Sequence, residues 1–478
     1  MSEYVPTIGI ECHVQLKTKS KLFAAVDNDA RGAEPNAKTS PICFGLPGTL
    51  PVLNQAAIEL GIKAGLALNA EVAEQMKFDR KHYFYPDLPK GYQITQFDQP
   101  IVGEGEVGFE FDGKTVLVGI ERAHLEEDAG KSTHPSGVDY SLVDLNRAGT
   151  PLLEIVSKPD IHSPAEARGY ARELYTLMKY AQVSDVDLYH GNMRFDVNVS
   201  LAPEGADELG TRAEVKNLNS FKSVERAARY EIKRQTKLLE RGEEIVQETR
   251  GWDDAKQKTV SQRGKENAHD YRYFPEPDIP PITIARSEVD AAREAMPIMP
   301  DQLRSEFELH DVSAQYIEVL ISNRSLALLA HEVSQSQPDA TRAVSSWLAT
   351  DVMAAVNDSD DYQWSELQLD APRLIALAAM VDEDKLSSNS ATDVVQAMMS
   401  ENTNPNQIAE REDLLQISDD SAIEQIVDDV IVANESASQD VRDGEKKAIG
   451  FLVGQVMKQS KGQANPQTAK QMLVDKLR

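Results

Sequence analysis

The segment from Gly9 to Leu16, GIECHVQL, alternates apolar and polar side chains as a β-strand does. One face of this strand would carry only Ile8, Ile10, Cys12, Val14 and Leu16. The other face would carry Glu11, His13 and Gln15. A carboxylate and an imidazole two positions apart on one face can hold a cation or a reacting group. The sequence therefore predicts a polar working face in front of an apolar core.

Two later segments repeat this alternation, RFDVNVSL from Arg194 to Leu201 and RAEVK from Arg212 to Lys216. Their polar positions include Asp196 and Glu214, which can bind metals, and Arg194, which can bind phosphate. Three such strands favour one antiparallel sheet with a shared functional face. The alternative is an ordinary sheet whose polar side chains only face water. Suitable groups on all three strands favour the functional interpretation.

A fourth segment, HLEEDAGKS from His124 to Ser132, places three acids before a glycine and a lysine. Acids here could bind Mg²⁺, and Lys131 could contact a phosphate. The segment is not a P-loop, because no glycine stands five positions before Gly130. Alternation leaves open which of Glu126 and Glu127 faces the site. In a regular strand, the even-numbered Val116, Val118 and Ile120 would lie on the same face as Glu126. The odd-numbered Ala123 and Leu125 would lie on the same face as Glu127.

Basic and aromatic residues alternate in KFDRKHYFYPD, residues 77–87, and in KGYQ, residues 90–93. Such a segment could stack on a base and neutralise phosphate, although an aromatic loop before a proline also commonly closes the edge of a core. Arg147, in the turn VDLNRAGTP of residues 143–151, is a weaker candidate for a protruding functional side chain.

Several chemistries are disfavoured. Cys12 and His13 would lie on opposite faces of their strand, and the chain has neither a G-x-S-x-G elbow nor a Gly-Gly-Ser-Ser amidase motif. Two cysteines, Cys12 and Cys43, cannot build a disulfide framework or a four-cysteine zinc site, which is typical of a reducing compartment. Acids, one imidazole and several cationic side chains instead favour metal-assisted phosphoryl transfer.

The chain of 478 residues, 41% of them hydrophobic, is long enough for two or three domains. Residues 1–292 read as α+β, the proline-rich segment 273–281 cannot be helical, and apolar residues recur at helical spacing from about residue 295 onward. A second break at residues 402–405 separates a tail. Without a signal sequence or a run of ~18 apolar residues, the sequence predicts a cytoplasmic protein.

A formal charge of -28 argues against a protein coated in basic surface for nucleic acid. The end of the chain reverses this balance, so a basic terminal module is one interpretation and an ordinary solvated helical surface is the other. From Val441 onward the basic residues are Arg442, Lys446, Lys447, Lys458, Lys461, Lys470, Lys476 and Arg478, against only three acids, Asp443, Glu445 and Asp475.

These motifs closely resemble those of the GatB family, the B subunits of tRNA-dependent aspartyl/glutamyl amidotransferases. The resemblance extends over essentially the whole chain. The matching segments are residues 8–16, 77–87, 93–100, 124–132, 141–147, 215–221, 270–278 and, in a YqeY-like tail, 444–466.

The resemblance implies an α+β fold with a large antiparallel-sheet cradle domain in residues 1–292, a helical domain in 293–405 and a YqeY-like tRNA-binding tail in 406–478. It also implies an ATP-dependent carbon–nitrogen ligase that uses Mg²⁺ to phosphorylate the side-chain carboxylate of Glu-tRNA(Gln) or Asp-tRNA(Asn). Ammonia from the glutaminase of the complex, its A subunit, would then displace the phosphate. The heterotrimer would be completed by a small C subunit. No membrane partner is implied.

Carried over by position, the resemblance implies catalytic roles for Glu11, His13 and Glu127. The implied metal ligands are Glu11, His13, Glu126, Glu127, Asp196 and Glu214. The implied contacts to ATP phosphates or the substrate carboxylate are Lys81, Lys131, Arg147 and Arg194. Some family members carry paired cysteines for zinc where this chain keeps only Cys43, so no zinc is predicted. A tRNA-binding scaffold without catalysis is the alternative, and the sequence does not decide between the two substrates.

Overall fold

The computed structural model describes residues 4–135, 137–264, 271–358, 367–417, 420–443, 445–460 and 462–477. Asp270 of one matched segment, and Gly444, Lys461 and Arg478 of the predicted tail, lie outside these ranges. The chain divides into two compact units, residues 1–299 and 300–478. Within the described ranges, no helix combines the length and the apolar character needed to cross a bilayer.

The first unit is α+β, as predicted. Its strands are β1 (Tyr4–Gln15), β2 (Gln75–Met76), β3 (Asp79–His82), β4 (Tyr92–Thr95), β5 (Gly105–Phe111), β6 (Lys114–Glu127), β7 (Lys131–Thr133), β8 (Leu142–Asp144), β9 (Pro151–Ser157), β10 (Met193–Pro203), β11 (Ala213–Leu218), β12 (Glu248–Asp253), β13 (Lys258–Gly264), β14 (Phe274–Pro275) and β15 (Ile282–Thr283). Its helices are α1 (Gln55–Ala67), α2 (Pro164–Tyr180), α3 (Phe221–Glu240) and α4 (Arg286–Glu294).

Eleven strands form one sheet in the order β13-β12-β11-β10-β1-β9-β6-β4-β3-β14, with β5 paired to β6. The three strands that alternate most clearly in the sequence, β1, β10 and β11, are antiparallel neighbours, as predicted. The sheet is nevertheless mixed rather than wholly antiparallel, because β11 and β12 run parallel. The long helix α3 lies between them in the chain and provides the crossover that a parallel pair requires.

The apolar face of β1 lies in the core, as its alternation predicts. Ile8, Ile10, Cys12 and Val14 are at most 1% exposed and share one hydrophobic cluster with residues of α2 and α3. Burying the aliphatic side chains of Ile8, Ile10 and Val14 contributes about 1.5–3 kcal/mol each. The helices and the apolar face therefore fix the sheet, and the polar side chains of β1 point the other way.

A β-bulge in β6 explains why alternation alone could not choose between Glu126 and Glu127. The register between β6 and β9 shifts between Ile120 and Arg122. One extra residue in a strand exchanges the two faces, so even-numbered residues face the core before the bulge and odd-numbered residues face it afterwards. Val118 and Ile120 therefore share the core with Ala123 and Leu125, although their positions differ in parity.

The second unit is helical in its described residues, as predicted. Its helices are α5 (Pro300–Leu309), α6 (Ala314–Ser322), α7 (Arg324–Ser336), α8 (Thr341–Trp347), α9 (Met353–Asp358), α10 (Ala371–Asp382), α11 (Ser388–Ser400), α12 (Pro405–Arg411), α13 (Asp420–Ala433), α14 (Glu435–Arg442), α15 (Lys446–Gln459) and α16 (Pro466–Leu477). Val427, Leu452, Val456 and Leu473 belong to a separate small core formed by the last helices. The division of this half near residue 405 stays a prediction.

Candidate active site

The polar face of the sheet forms one wall of a cavity of about 520 Å³. Five adjacent strands, β11, β10, β1, β9 and β6, each contribute a charged side chain to it. These residues are Glu214 and Lys216, Asp196 and Arg194, Glu11 and His13, Glu154, and Glu126. Because neighbouring strands align these positions, residues distant in the sequence meet at one site.

The first cluster in the cavity consists of His13, Glu126 and Glu154. His13 lies directly opposite Glu154 in the β1–β9 register. Its Nε2 is 3.3 Å from Glu154 Oε2 and 3.8 Å from Glu126 Oε1. One ligand atom from each residue lies within 4.8 Å of the others, close enough to bind one cation.

His124 borders this cluster. It lies opposite Glu154 in the β6–β9 register, and its Nε2 is 3.5 Å from Glu154 Oε2 and 3.7 Å from Glu126 Oε2. Its Nδ1 is buried without a hydrogen-bond partner among the described residues. The imidazole therefore directs one nitrogen at the same two carboxylates that His13 contacts.

The second cluster consists of Glu11, Asp196 and Glu214, whose ligand oxygens also lie within 4.8 Å of one another. Glu11 and Asp196 are directly paired across β1 and β10. Each carboxylate is oriented by a further group. Asn198 Nδ2 donates to Glu11 Oε1 at 2.9 Å, Thr249 Oγ1 to Glu214 Oε2 at 2.9 Å, and the Asn217 amide to Asp196 Oδ1 at 2.8 Å.

Burial and mutual charge shift the pKa values of both clusters. Burial would lower the pKa of His13, but its hydrogen bond to Glu154 and the surrounding carboxylates raise this pKa to about 9. Burial would raise the pKa of Glu154, but the charges of His124 and His13 hold it well below its usual value. Burial, with the charges of Glu154, Glu214 and Asp196, raises the pKa of Glu11. The site therefore favours bound positive charge.

Cationic side chains face the carboxylates. Lys216 Nζ is 3.2 Å from Asp196 and 3.3 Å from Glu214, and these charges raise its pKa although burial opposes the shift. Burial would likewise lower the pKa of Lys81, but Tyr273, Glu126 and Glu154 together raise it. Arg194 is held 3.0 Å from Asp128. Three cations and two carboxylate clusters in one cavity can bind a phosphate and a divalent cation together.

The donor set fits Mg²⁺ or Mn²⁺. Five carboxylates and one imidazole form the two clusters, and oxygen-rich sets of this kind suit hard divalent cations. A divalent cation at either cluster would replace a positive charge that is already there. At the first cluster that charge is protonated His13, and at the second it is Lys216.

The structure brings seven of the predicted site residues to this cavity: Glu11, His13, Lys81, Glu126, Arg194, Asp196 and Glu214. It does not bring Glu127 there. The Glu127 carboxylate accepts hydrogen bonds from Lys90 and, at 2.9 Å, from the Ile94 amide. Glu126 and Glu127 are consecutive in β6, so they lie on opposite faces, and Glu127 shares its face with the buried Leu125.

Two predicted cationic residues also lie elsewhere. Lys131 is exposed at the start of β7 and lines neither this cavity nor the one that Arg147 lines. Arg147 donates to the carbonyls of Ala129 and Gly130, at 2.9 and 2.8 Å. It lines a second cavity of about 370 Å³ and contacts the larger one through two of its lining residues, Ala129 and Asp128, the latter 3.4 Å away.

Sequence reasoning missed Glu154 and Lys216. Glu154 is the single charged residue of the strand PLLEIVS, and an isolated acid in a buried strand is a usable signal. Lys216 was visible on the polar face of β11, but only the strand pairing places it between Asp196 and Glu214.

Fold and site together define a sheet-based protein with an acidic cavity whose two carboxylate clusters could each hold a cation. Residues 6–290 match the model of the GatB/GatE catalytic domain, and residues 330–477 match that of the GatB domain. The chain therefore belongs to the GatB family, as its motifs predicted.

Curated relatives match over nearly their whole length, and each is named as the B subunit of an aspartyl/glutamyl-tRNA(Asn/Gln) amidotransferase. The Carboxydothermus hydrogenoformans protein is 44% identical over 481 residues, covering 100% of this chain and 99% of the relative. The Caldanaerobacter subterraneus protein is 46% identical, covering 99% of both. The Halorhodospira halophila protein is 47% identical, covering 98% of both.

Proposed function

We propose that this chain is the part of a tRNA-dependent amidotransferase that activates and amidates an acidic side chain esterified to tRNA. The printed names of the relatives supply the substrate class, aspartyl- or glutamyl-tRNA. The observation that carries the proposal is the cavity in which two carboxylate clusters face Lys81, Arg194 and Lys216. These groups match the needs of ATP and a carboxylate substrate.

The chemistry proceeds in two steps. A carboxylate is a poor electrophile, so one of its oxygens first attacks the γ-phosphorus of ATP, and ADP leaves. Ammonia then attacks the resulting acyl phosphate, inorganic phosphate leaves, and a side-chain amide remains. Catalysis of this kind depends mainly on positioning and charge stabilisation.

In this proposal His13, Glu126 and Glu154 hold one Mg²⁺, and Glu11, Asp196 and Glu214 are able to hold a second. The metal supplies charge neutralisation for the phosphates. Lys81 and Arg194 hold a phosphate or the substrate carboxylate by charge-assisted hydrogen bonds. While no cation occupies the second cluster, Lys216 keeps it compact through its contacts with Asp196 and Glu214.

Ammonia must come from a partner. The relatives are each named as one subunit of a larger enzyme, and this sequence has neither a G-x-S-x-G elbow nor a Gly-Gly-Ser-Ser amidase motif. We therefore propose two protein partners, a glutaminase (the A subunit) and a small C subunit. The macromolecular substrate in this proposal is tRNA.

Glu154→Gln tests the catalytic proposal in the reconstituted complex with mischarged tRNA, ATP and Mg²⁺. The variant keeps the size of the side chain but removes a charge from the first cluster, so amide formation should fall by about a hundredfold or more, in line with typical losses when electrostatic stabilisation is removed. Affinity for tRNA, measured by anisotropy, should be unchanged. Glu59→Gln, an exposed position of α1, is the matched control.

If the chain were only a non-catalytic tRNA scaffold, Glu154→Gln should leave the rate of amide formation unchanged. If Glu154→Gln amidates at the normal rate, the metal-site proposal fails. Supplying Glu-tRNA(Gln) and Asp-tRNA(Asn) separately to the complex determines which substrate this chain uses.

A further inference from the structure

Five aromatic rings form a continuous row beside the acidic cavity, here called the aromatic ladder: Tyr85, Tyr83, Tyr271, Tyr273 and Phe97. Neighbouring ring centroids lie 6.1 Å apart for Tyr85 and Tyr83, 6.3 Å for Tyr83 and Tyr271, and 6.1 Å for Tyr271 and Tyr273. Tyr273 and Phe97 stack almost parallel, with centroids 4.2 Å apart and an 11° angle between planes.

The ladder leads from the cavity to the protein surface. Tyr83, Tyr85 and Tyr271 line the cavity, whereas Phe97 at the far end is 49% exposed. Tyr85 is 48% exposed. Aromatic rings that only fill a core are buried, as Phe78 is at 1%. Core packing therefore does not account for the ladder.

The surrounding structure holds the ladder in place. Arg80 forms two hydrogen bonds with the buried carboxylate of Glu276, at 2.7 and 2.9 Å, and thereby ties β14 to β3. Tyr271 and Tyr273 immediately precede β14 in the chain. The Lys81 ammonium lies 4.9 Å from the centroid of the Tyr271 ring. The rings thus form a preorganised surface, which lowers the entropic cost of binding.

We propose that the aromatic ladder stacks the unpaired 3′-terminal nucleotides of the tRNA substrate and so guides the aminoacyl ester into the acidic cavity. This inference rests on the proposed function, which makes an aminoacyl-tRNA the substrate. Unpaired bases present flat faces that stack on aromatic side chains. The aminoacyl group is attached to the last of these nucleotides and must reach the carboxylate clusters.

Charge favours stacking over phosphate contacts at the Phe97 end of the ladder, away from Lys81. The chain carries a formal charge of -28. Lys77 is already bound to Asp98, the neighbour of Phe97 in the chain, at 2.7 Å and to Asp79 at 3.1 Å. Stacking on a neutral ring releases few counterions. The contribution of the ladder to tRNA affinity should therefore depend little on salt.

The experiment compares intact deacylated tRNA with the same tRNA lacking its unpaired 3′ nucleotides, both fluorescently labelled, in anisotropy titrations of the full complex. The wild-type complex should bind the intact tRNA about tenfold more tightly, from the usual strength of base stacking. Phe97→Leu and Tyr273→Leu should remove most of that difference, at low and at high salt. Phe97→Trp, which keeps an aromatic face, should preserve it.

Tyr189→Leu is the matched control, because Tyr189 is 94% exposed and lines neither cavity. The proposal is overturned if the leucine variants weaken intact and truncated tRNA equally, or affect neither. It is also overturned if they raise the KM for ATP while the tRNA difference persists, since an adenine ring would then be the occupant. If the complex has no amidation activity but the leucine variants still remove the difference in affinity between intact and truncated tRNA, the proposed function is refuted and the stacking proposal stands.

Discussion

His13 is the residue through which pH acts most directly on the site. Its pKa of about 9 in the folded protein exceeds the value of about 6.5 expected for an unfolded chain. Protonated His13 therefore stabilises the metal-free fold fully below pH 6.5, and this contribution is lost as pH rises toward 9, by at most about 1.4 kcal/mol per pH unit.

We expect the first thermal transition of the chain in EDTA to move to lower temperature between pH 7 and pH 9.5. His13→Gln should flatten this dependence, because glutamine cannot bind the proton. Equal slopes for the two proteins, measured by differential scanning calorimetry, would contradict the assignment.

Glu127 belongs to a buried ion pair. Its carboxylate pairs with Lys90, and only 6% of the Glu127 side chain and 10% of the Lys90 side chain are exposed. Glu127→Ala should therefore lower the stability by about 3–5 kcal/mol, because an unpaired ammonium remains buried. Lys90→Met in the same chain should restore most of the melting temperature. If Glu127→Ala abolishes amidation without changing the melting temperature, the catalytic role predicted from the motif is supported instead.

Residue identity and spacing were enough to find most of the site. Glu11, His13, Asp196 and Glu214 stand out because each lies on the polar face of an alternating strand. The pairing of Glu154 with His13 and the true direction of Glu127 could not be obtained in this way, because they depend on which strands become neighbours and on one bulge. Register is a tertiary property, and a shift by one residue exchanges the two faces of a strand.

Among the elements, β6 is the most sensitive to register. Deleting Glu121 at its bulge would force either Val118 and Ile120 or Ala123 and Leu125 out of the core. We expect a loss of about 3 kcal/mol or more, from the burial energy of these side chains. Glu121→Ala, which keeps the bulge, should change stability by less than about 0.5 kcal/mol. Urea unfolding of the two variants measures the difference, and equal midpoints would show that the bulge does not set the register.

The sequence predicts that the second half of the chain is helical, but not how its helices pack together. The apolar residues that recur at helical spacing after residue 295 do lie in helices, for example Tyr316, Val319 and Leu320 in α6 and Leu326 and Leu329 in α7. The grouping of the last helices around Val427, Leu452 and Leu473 was not visible, because helix periodicity gives the buried face but not its partner.

At the scale of the whole molecule, the acidic chain must still bind an acidic polymer. The proposed tail offers Lys447, Lys458 and Lys470 as exposed basic side chains, whereas Lys476 is bound to Glu424 at 2.8 Å and Asp428 at 2.6 Å. An ammonium already paired with two carboxylates has little charge left for phosphate. The three exposed lysines are therefore the ones expected to contact the tRNA backbone.

Replacing Lys447, Lys458 and Lys470 together by Gln should weaken tRNA binding by the full complex and reduce the slope of log affinity against log salt by about two to three, roughly one per lost phosphate contact. The rate of amidation at saturating tRNA should be unchanged, because the cavity belongs to the other unit of the chain. Lys476→Gln is the control and should leave the slope nearly unaltered. If the triple variant binds with the wild-type slope, the basic residues of the tail are only a solvated helical surface, and tRNA affinity must arise from the sheet domain or from the partner proteins.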